Sequence, residues 1–290
     1  MHILTTLGGL SILGPEGAPT GLAPRKRALA LLALSASAAK EGVGRDRAMA
    51  LLWPELDAAN ARNNLKQTVF AIRHTLGVDV FDHTTTTLRL DPRVITVDLH
   101  HYEHALAVGA HEDAAADYAG PFLDGFFLPN VNEFDRWVER VRQRLDLGYA
   151  RALETLAVRA RLRGDVNAAI HWYRLLVEHD PVSTSCVLGL MATLAEASEP
   201  FAALECYHRH VKLLREEFDA EPDPKIRLAA DAVRRSMSYR SSEHSYSASS
   251  GEQTDIPSLP PLFVEPPRTT RRISGPTIRP FRPPRPDPEA

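Results

Sequence analysis

Between residues 156 and 207 the chain repeats itself at a spacing of 34 residues. Leu156 matches Leu190, Ala160 matches Leu194, Gly164 matches Ser198, Ala168-Ala169-Ile170 matches Ala202-Ala203-Leu204, and Tyr173 matches Tyr207. A period of this length is one pair of helices. A single pair cannot bury its own apolar face, so neighbouring pairs must stack and share a core. Ala168 and Ala202 leave room for close helix approach, and the tyrosines fill the groove to the next helix. The alternative is ordinary helical packing with coincident spacing. Small residues and tyrosines moving in step favour the repeat. Stacked pairs present a concave surface to peptides or partner domains, which makes Trp172, Tyr173 and Tyr207 the candidate partner-binding residues.

The period is that of tetratricopeptide helix pairs. Helical spacing continues on both sides. Asp98–Val108 carries Leu99, Tyr102 and Leu106 at helical intervals, and Gly120-Pro-Phe-Leu-Asp-Gly125 then breaks the chain. A long helix over roughly Asn132–Arg163 places Phe134, Trp137, Val141, Leu145 and Tyr149 on one side. His179-Asp180-Pro181 closes the next pair. Glu221-Pro-Asp-Pro224 starts a last helix to about Met237, with Asp223 as cap and Pro224 in the first turn.

The N-terminal third is different. In Asn60–Gly77, Ala61, Leu65, Ile72 and Leu76 share an apolar face, while Arg62, Asn63, Lys66, Gln67, Arg73 and His74 crowd the opposite face, which contains no acid. Cations neutralise phosphates, and Asn, Gln and Arg bond base edges in two-pronged fashion, so such a helix suits a DNA major groove. The alternative is a solvated amphipathic helix. Short strands at Ile3–Thr6 and Leu10–Leu13 come first. A nearly all-apolar helix, Pro24–Ala38, opens on Arg25, Lys26 and Arg27. These three could touch phosphates or equally form a solvated helix start. A second helix, Arg45–Trp53, is stopped by Pro54, and Asp57 is placed to cap the third. After Gly77 the residues favour an extended hairpin over Val78–Val97 with threonines at its tip. Strands, three helices, then a hairpin is the order of a winged helix-turn-helix, whose third helix enters the major groove.

Charge follows the same division. Residues 1–97 hold 11 Lys/Arg against 8 Asp/Glu, whereas residues 98–237 hold 16 against 23. A polyanionic partner suits the first region, and a protein-facing role suits the second. The two cysteines, Cys186 and Cys206, form no CxxC or metal-like spacing, and a reducing cytoplasm fits. No signal peptide is indicated, and the apolar run Ala28–Ala39 is too short to span a bilayer. His100, His101 and His104 lack a completing carboxylate set, so no metal is expected. No Gly-x-Ser-x-Gly elbow or phosphate-cradling GxxxxGK loop occurs, so neither an enzyme nor a cofactor is expected.

Gly21-Leu-Ala-Pro-Arg-Lys-Arg-Ala-Leu-Ala-Leu-Leu-Ala-Leu, Leu51-Leu-Trp-Pro, Ala61-Arg-Asn-Asn-Leu and Ile72-Arg-His-Thr-Leu-Gly resemble the DNA-binding half of bacterial antibiotic-regulatory-type (SARP-like) activators, which use a response-regulator-type winged helix. Asp98-Leu-His-His-Tyr-Glu, Gly120-Pro-Phe-Leu-Asp-Gly, Glu133-Phe-Asp-Arg-Trp-Val-Glu-Arg, Gly164-Asp-Val-Asn-Ala-Ala-Ile and Leu213-Leu-Arg-Glu-Glu-Phe-Asp-Ala-Glu-Pro are similar to that family's activator domain. The resemblance implies a mainly α protein of three parts. These are a small α+β winged helix-turn-helix (1–97), an all-α tetratricopeptide-like domain (98–237) and a disordered Ser/Pro/Arg-rich tail (238–290). It implies promoter DNA as partner of Arg62, Asn63, Lys66, Gln67, Arg73 and His74 on the recognition helix. Arg25, Lys26, Arg27, Thr85, Thr86 and Arg89 would lie near the DNA backbone. The helical domain would serve dimerisation or contact with RNA polymerase. The wing departs from the family pattern: Thr86-Thr87-Leu88-Arg89-Leu90 keeps its Arg-Leu end but lacks its glycines and tyrosine. The alternative is therefore a tetratricopeptide-type interaction adaptor whose degenerate winged helix no longer binds DNA. Both readings place the chain in the cytoplasm, away from membranes.

Overall fold

The computed structural model describes residues 1–249 apart from His83 and Thr85, with the backbone alone over 239–249. The described chain falls into two compact units. One is Met1–His179, and the other begins at Asp180.

In the first unit, β1 (His2–Thr5) and β2 (Ser11–Leu13) run antiparallel, with Ile3 opposite Leu13. β3 (Ile95–Val97) joins the free edge of β1 in parallel, giving the order β2-β1-β3. α1 (Lys26–Ser37) is buried continuously from Ala28 to Ala36. A helix that is apolar all round can only be the centre of its layer. Its one buried hydroxyl, on Ser35, donates to the Leu31 carbonyl at 3.0 Å, so no polar group is stranded. α2 (Arg45–Leu52) ends where Trp53 leaves helical geometry ahead of Pro54. α3 (Ala58–Leu76) starts as its sequence predicts: the Asp57 carboxylate accepts the amides of Ala59 and Asn60, both at 2.9 Å. It ends at Gly77, in the left-handed region at φ 70°.

The hairpin predicted over 78–97 is shorter than its β-propensity suggests. One antiparallel bridge joins Phe81 to Leu90, and Leu88 bridges to Val43 ahead of α2. The remaining residues turn away. The Asp91 carboxylate accepts the Arg93 amide at 2.9 Å, and the Asp91 carbonyl accepts the amides of Val94 and Ile95. That turn releases Ile95–Val97 from the hairpin to pair with β1.

No seam separates residues 1–97 from the helices after them. Buried side chains from Leu4 to Leu145 form one continuous core. α4 (Asp98–Val108) begins with an aspartate whose carboxylate accepts the Thr6 amide, the Thr6 hydroxyl and the Leu7 amide at 2.8–2.9 Å. α5 (His111–Asp117), which the sequence did not mark, packs on α4. The loop around Gly120 crosses the N-terminal strand closely, where the Gly8 amide donates to the Pro121 carbonyl at 3.0 Å and the Leu123 amide to the Thr6 carbonyl at 2.8 Å. Gly8 sits at φ +73°, and a Cβ there would lie 2.8 Å from the Ala119 carbonyl oxygen. Gly8→Ala is therefore expected to destabilise the protein by about 2 kcal/mol. Gly17→Ala, at φ +78° in open space, carries only the conformational cost of ~1 kcal/mol. Urea midpoints of the two variants check the difference.

α6 (Asn132–Leu162) buries Phe134, Trp137, Val141 and Leu145, as its periodicity predicts, and α7 (Val166–His179) packs back on it. The second unit contains α8 (Thr184–Glu196), α9 (Pro200–Phe218) and α10 (Pro224–Ser249). α10 runs past Met237, where the sequence pattern places its end. The rest of the proposed tail, 250–290, lies outside the described residues.

The 34-residue repeat holds in backbone detail. Gly164 and Ser198, a matched pair, both adopt positive φ, at 74° and 63°. The following amides close the same turn, Asp165 onto the Ala160 carbonyl and Glu199 onto the Leu194 carbonyl, each at 2.9 Å. The residues of close approach are Ala169 and Ala203, both fully buried. Ala168 and Ala202 are less buried. The period is as read, and the contact stripe sits one residue later.

Candidate nucleic-acid interface

α3 presents two unlike faces. Ala61, Leu65 and Ile72 are buried against the core, while Arg62, Asn63, Lys66, Gln67, Phe70, Arg73 and His74 lie on the outer side. No Asp or Glu occurs from Ala58 to Leu76. Asp57 is spent on the helix start, where bonds from the Asn60 and Ala59 amides and the Asn60 side chain hold its carboxyl below the usual range. Among the described residues, Arg62 and Lys66 form no ion pair with a carboxylate. Arg73 lies 3.6 Å from Asp79 with most of its side chain in water, so its charge is only partly answered. The His74 ring leans on Phe70 at 6.0 Å between centroids. Phe70, 68% exposed, does not stand out in the sequence pattern.

Folding brings a second predicted group to this helix. An open groove of ≈ 400 Å³ is lined by Arg25, Lys26 and Arg27 from the start of α1, by Trp53, and by Asn64, Gln67, Thr68 and Ala71 of α3. The three cations are not equivalent. Arg27 pairs with Glu55 at 2.9 Å and lies over the Trp53 ring at 5.8 Å. The Lys26 ammonium sits 4.2 Å above the Phe127 ring. Arg25, just ahead of the helix, is exposed. A polyanion on this groove would meet Arg25 directly and would have to draw Arg27 from its present partners.

The wing places Thr86 in solvent and turns Arg89 inward. The Arg89 guanidinium bonds to the Asp82 carboxylate and reaches the Lys40 carbonyl, and the Thr87 hydroxyl donates to the Glu41 carbonyl at 2.8 Å. Arg89 thus braces the base of the wing rather than standing free at its tip, because Asp82 lies across the hairpin from it. Thr85 lies outside the described residues. The Asp82 carboxyl is held far below its ordinary value of 3.8, first by the Thr84 hydroxyl, then by Arg89 and the Thr84 amide. A depressed folded-state value stabilises the wing above the unfolded value near 4, and that stability is lost as pH falls through the folded value. The Arg89 guanidinium N–H resonances, which report on the Asp82 carboxylate, should therefore stay fixed from pH 7 to about pH 4 and move only below it. Movement at pH 5–6 would contradict the bracing.

Of the partner-binding candidates, Tyr173 is 7% exposed and belongs to the core of its helix pair, so it is not accessible surface. Trp172 is half-buried beside the His171 ring, and Tyr207 is half-buried under the Arg234 guanidinium at 5.5 Å. Among the described residues no metal-holding group of His, Cys, Asp and Glu occurs. His100 instead bonds the Ala36 carbonyl at 2.8 Å. No helix among the described residues is long and apolar enough to cross a membrane.

Comparison with solved structures finds a similar fold in a chain described as Mycobacterium tuberculosis EmbR in complex with a low affinity phosphopeptide. The TM-score is 0.55 at 21% sequence identity, over 81% of this chain and 65% of that one. This chain thus spans just under two thirds of the EmbR chain it matches. Comparison with curated proteins finds no significant match. A family model does match, the bacterial transcriptional activator domain, over residues 94–234. The stretch from just before α4 to within α10 is thus similar to a bacterial transcriptional activator domain, and it follows an N-terminal α+β region with the element order of a winged helix-turn-helix.

Proposed function

We propose that this protein is a sequence-specific DNA-binding transcriptional regulator, acting as an activator in the cytoplasm. The outer face of α3 carries the reading: a row of Arg62, Asn63, Lys66, Gln67, Arg73 and His74 without a carboxylate in the helix. A duplex offers such a row phosphates on both sides and acceptor-rich base edges between them. The activator domain supports the regulatory half of the proposal. Its acidic balance suits contact with a second protomer or with RNA polymerase rather than DNA.

Single substitutions separate the roles. Lys66→Ala should weaken binding to all sequences alike and reduce the salt slope by about 1. Asn63→Ala and Gln67→Ala should leave the slope unchanged and relax base choice at one position, a loss of about 1–3 kcal/mol of discrimination. Fluorescence anisotropy with a pool of genomic duplexes at two salt concentrations measures both. The rival reading, an interaction adaptor without DNA binding, draws on the wing, where Arg89 is engaged within the protein. Capture of a protein partner together with complete failure to retain duplex at low salt would favour it.

A further inference from the structure

We infer that Phe70 reads the C5-methyl group of thymine in the major groove and sets a preference for T over C at one or two positions of the site. This rests on the DNA-binding reading of α3. Phe70 is 68% exposed in the middle of the polar face, whereas the neighbouring apolar side chains Leu65 and Ile72 are buried. It lies one helical turn from Lys66 and Gln67 on one side and from Arg73 and His74 on the other, so groups approaching those residues also meet its ring. The His74 ring, 6.0 Å away and tilted by 31°, limits where the phenyl group can swing.

A partner for this phenyl must tolerate the cations around it. A basic or neutral apolar protein surface would strand Arg62, Lys66 and Arg73, while an anionic duplex satisfies them. Within a major groove, base edges present hydrogen-bonding groups and a single apolar one, the thymine methyl. An aromatic side chain flanked by phosphate-binding cations fits that group. Cytosine, which presents an amino group and no methyl, would face the ring with an unanswered donor.

The test uses the full chain and the tightest genomic fragment it retains, cut to a short duplex. Each thymine is replaced in turn by deoxyuridine, which keeps base pairing and removes only the methyl. The wild type is expected to lose about fourfold in affinity at one or two thymines, the worth of one buried methyl, and nothing elsewhere. Phe70→Ala, at an exposed position, should keep the salt slope and lose the thymine–deoxyuridine difference, and Phe70→Leu should retain part of it. Retained duplex with equal affinity at every replaced thymine would overturn the methyl contact alone. So would an unchanged thymine preference in Phe70→Ala, or a change confined to its oligomeric state by sedimentation. Failure to retain any duplex would overturn the DNA-binding reading itself, and this inference with it.

Discussion

Replacing Arg62, Lys66 and Arg73 together by alanine should lower affinity for any duplex by roughly 100-fold near physiological salt. Each cation that neutralises a phosphate releases a counterion and contributes about 0.9 to the slope of log affinity against log salt. Three contacts amount to a slope change of roughly 2 to 3, which at about 0.15 M corresponds to roughly two decades of binding. Arg73 should supply the smallest share, because Asp79 at 3.6 Å already answers part of its charge. All three side chains are exposed and none packs into the core, so the variant should unfold at the wild-type urea concentration. Anisotropy titrations at two salt concentrations give affinity and slope together. A triple variant that binds like the wild type would remove α3 from the interface.

Asp98→Ala should act on stability instead. The carboxylate accepts the Thr6 amide, the Thr6 hydroxyl and the Leu7 amide, and Thr6 is fully buried. Alanine would leave these donors inside the fold with nothing to receive them, each worth about 1–3 kcal/mol before the loop relaxes. A total loss of about 4 kcal/mol is expected. Asp98→Asn, with one carbonyl oxygen left to accept, should recover part of it. Trp53, Trp137 and Trp172 all lie in the unit Met1–His179, so tryptophan fluorescence during urea unfolding reports on that unit. A loss below about 1 kcal/mol would show that the N-terminal strand does not depend on this anchor.

The helix that carries the candidate site was legible because its signals are local. Asp57 and Gly77 punctuate it, and apolar and polar residues segregate within it. The exposed face follows directly. Phe70 was missed because an aromatic residue reads as core until its angle is counted: five residues beyond Leu65 it points about 140° away from the buried stripe. The extent of the wing was less legible, for the opposite reason. Threonines and valines favour extended structure without naming a partner, and β3 finds its partner in β1, at the far N-terminal end of the chain. Arg89 and the α1 cations could be named from the sequence, but Asp82, Glu55 and Phe127, which occupy three of them, are set by tertiary packing. The absence of a seam at residue 97 has the same origin, since it depends on Asp98 reaching back to Thr6. α5 is short and alanine-rich, with too few apolar residues to show a helical period.

Sequencing the genomic fragments that co-purify with the full chain tests the central claim most directly, with the Arg62/Lys66/Arg73 triple-alanine variant carried in parallel. A regulator that reads DNA through α3 should enrich a small set of promoter fragments sharing a short repeated element, and the variant should enrich none. Fragments drawn evenly from the genome by both proteins, or the same set recovered by both, would contradict it.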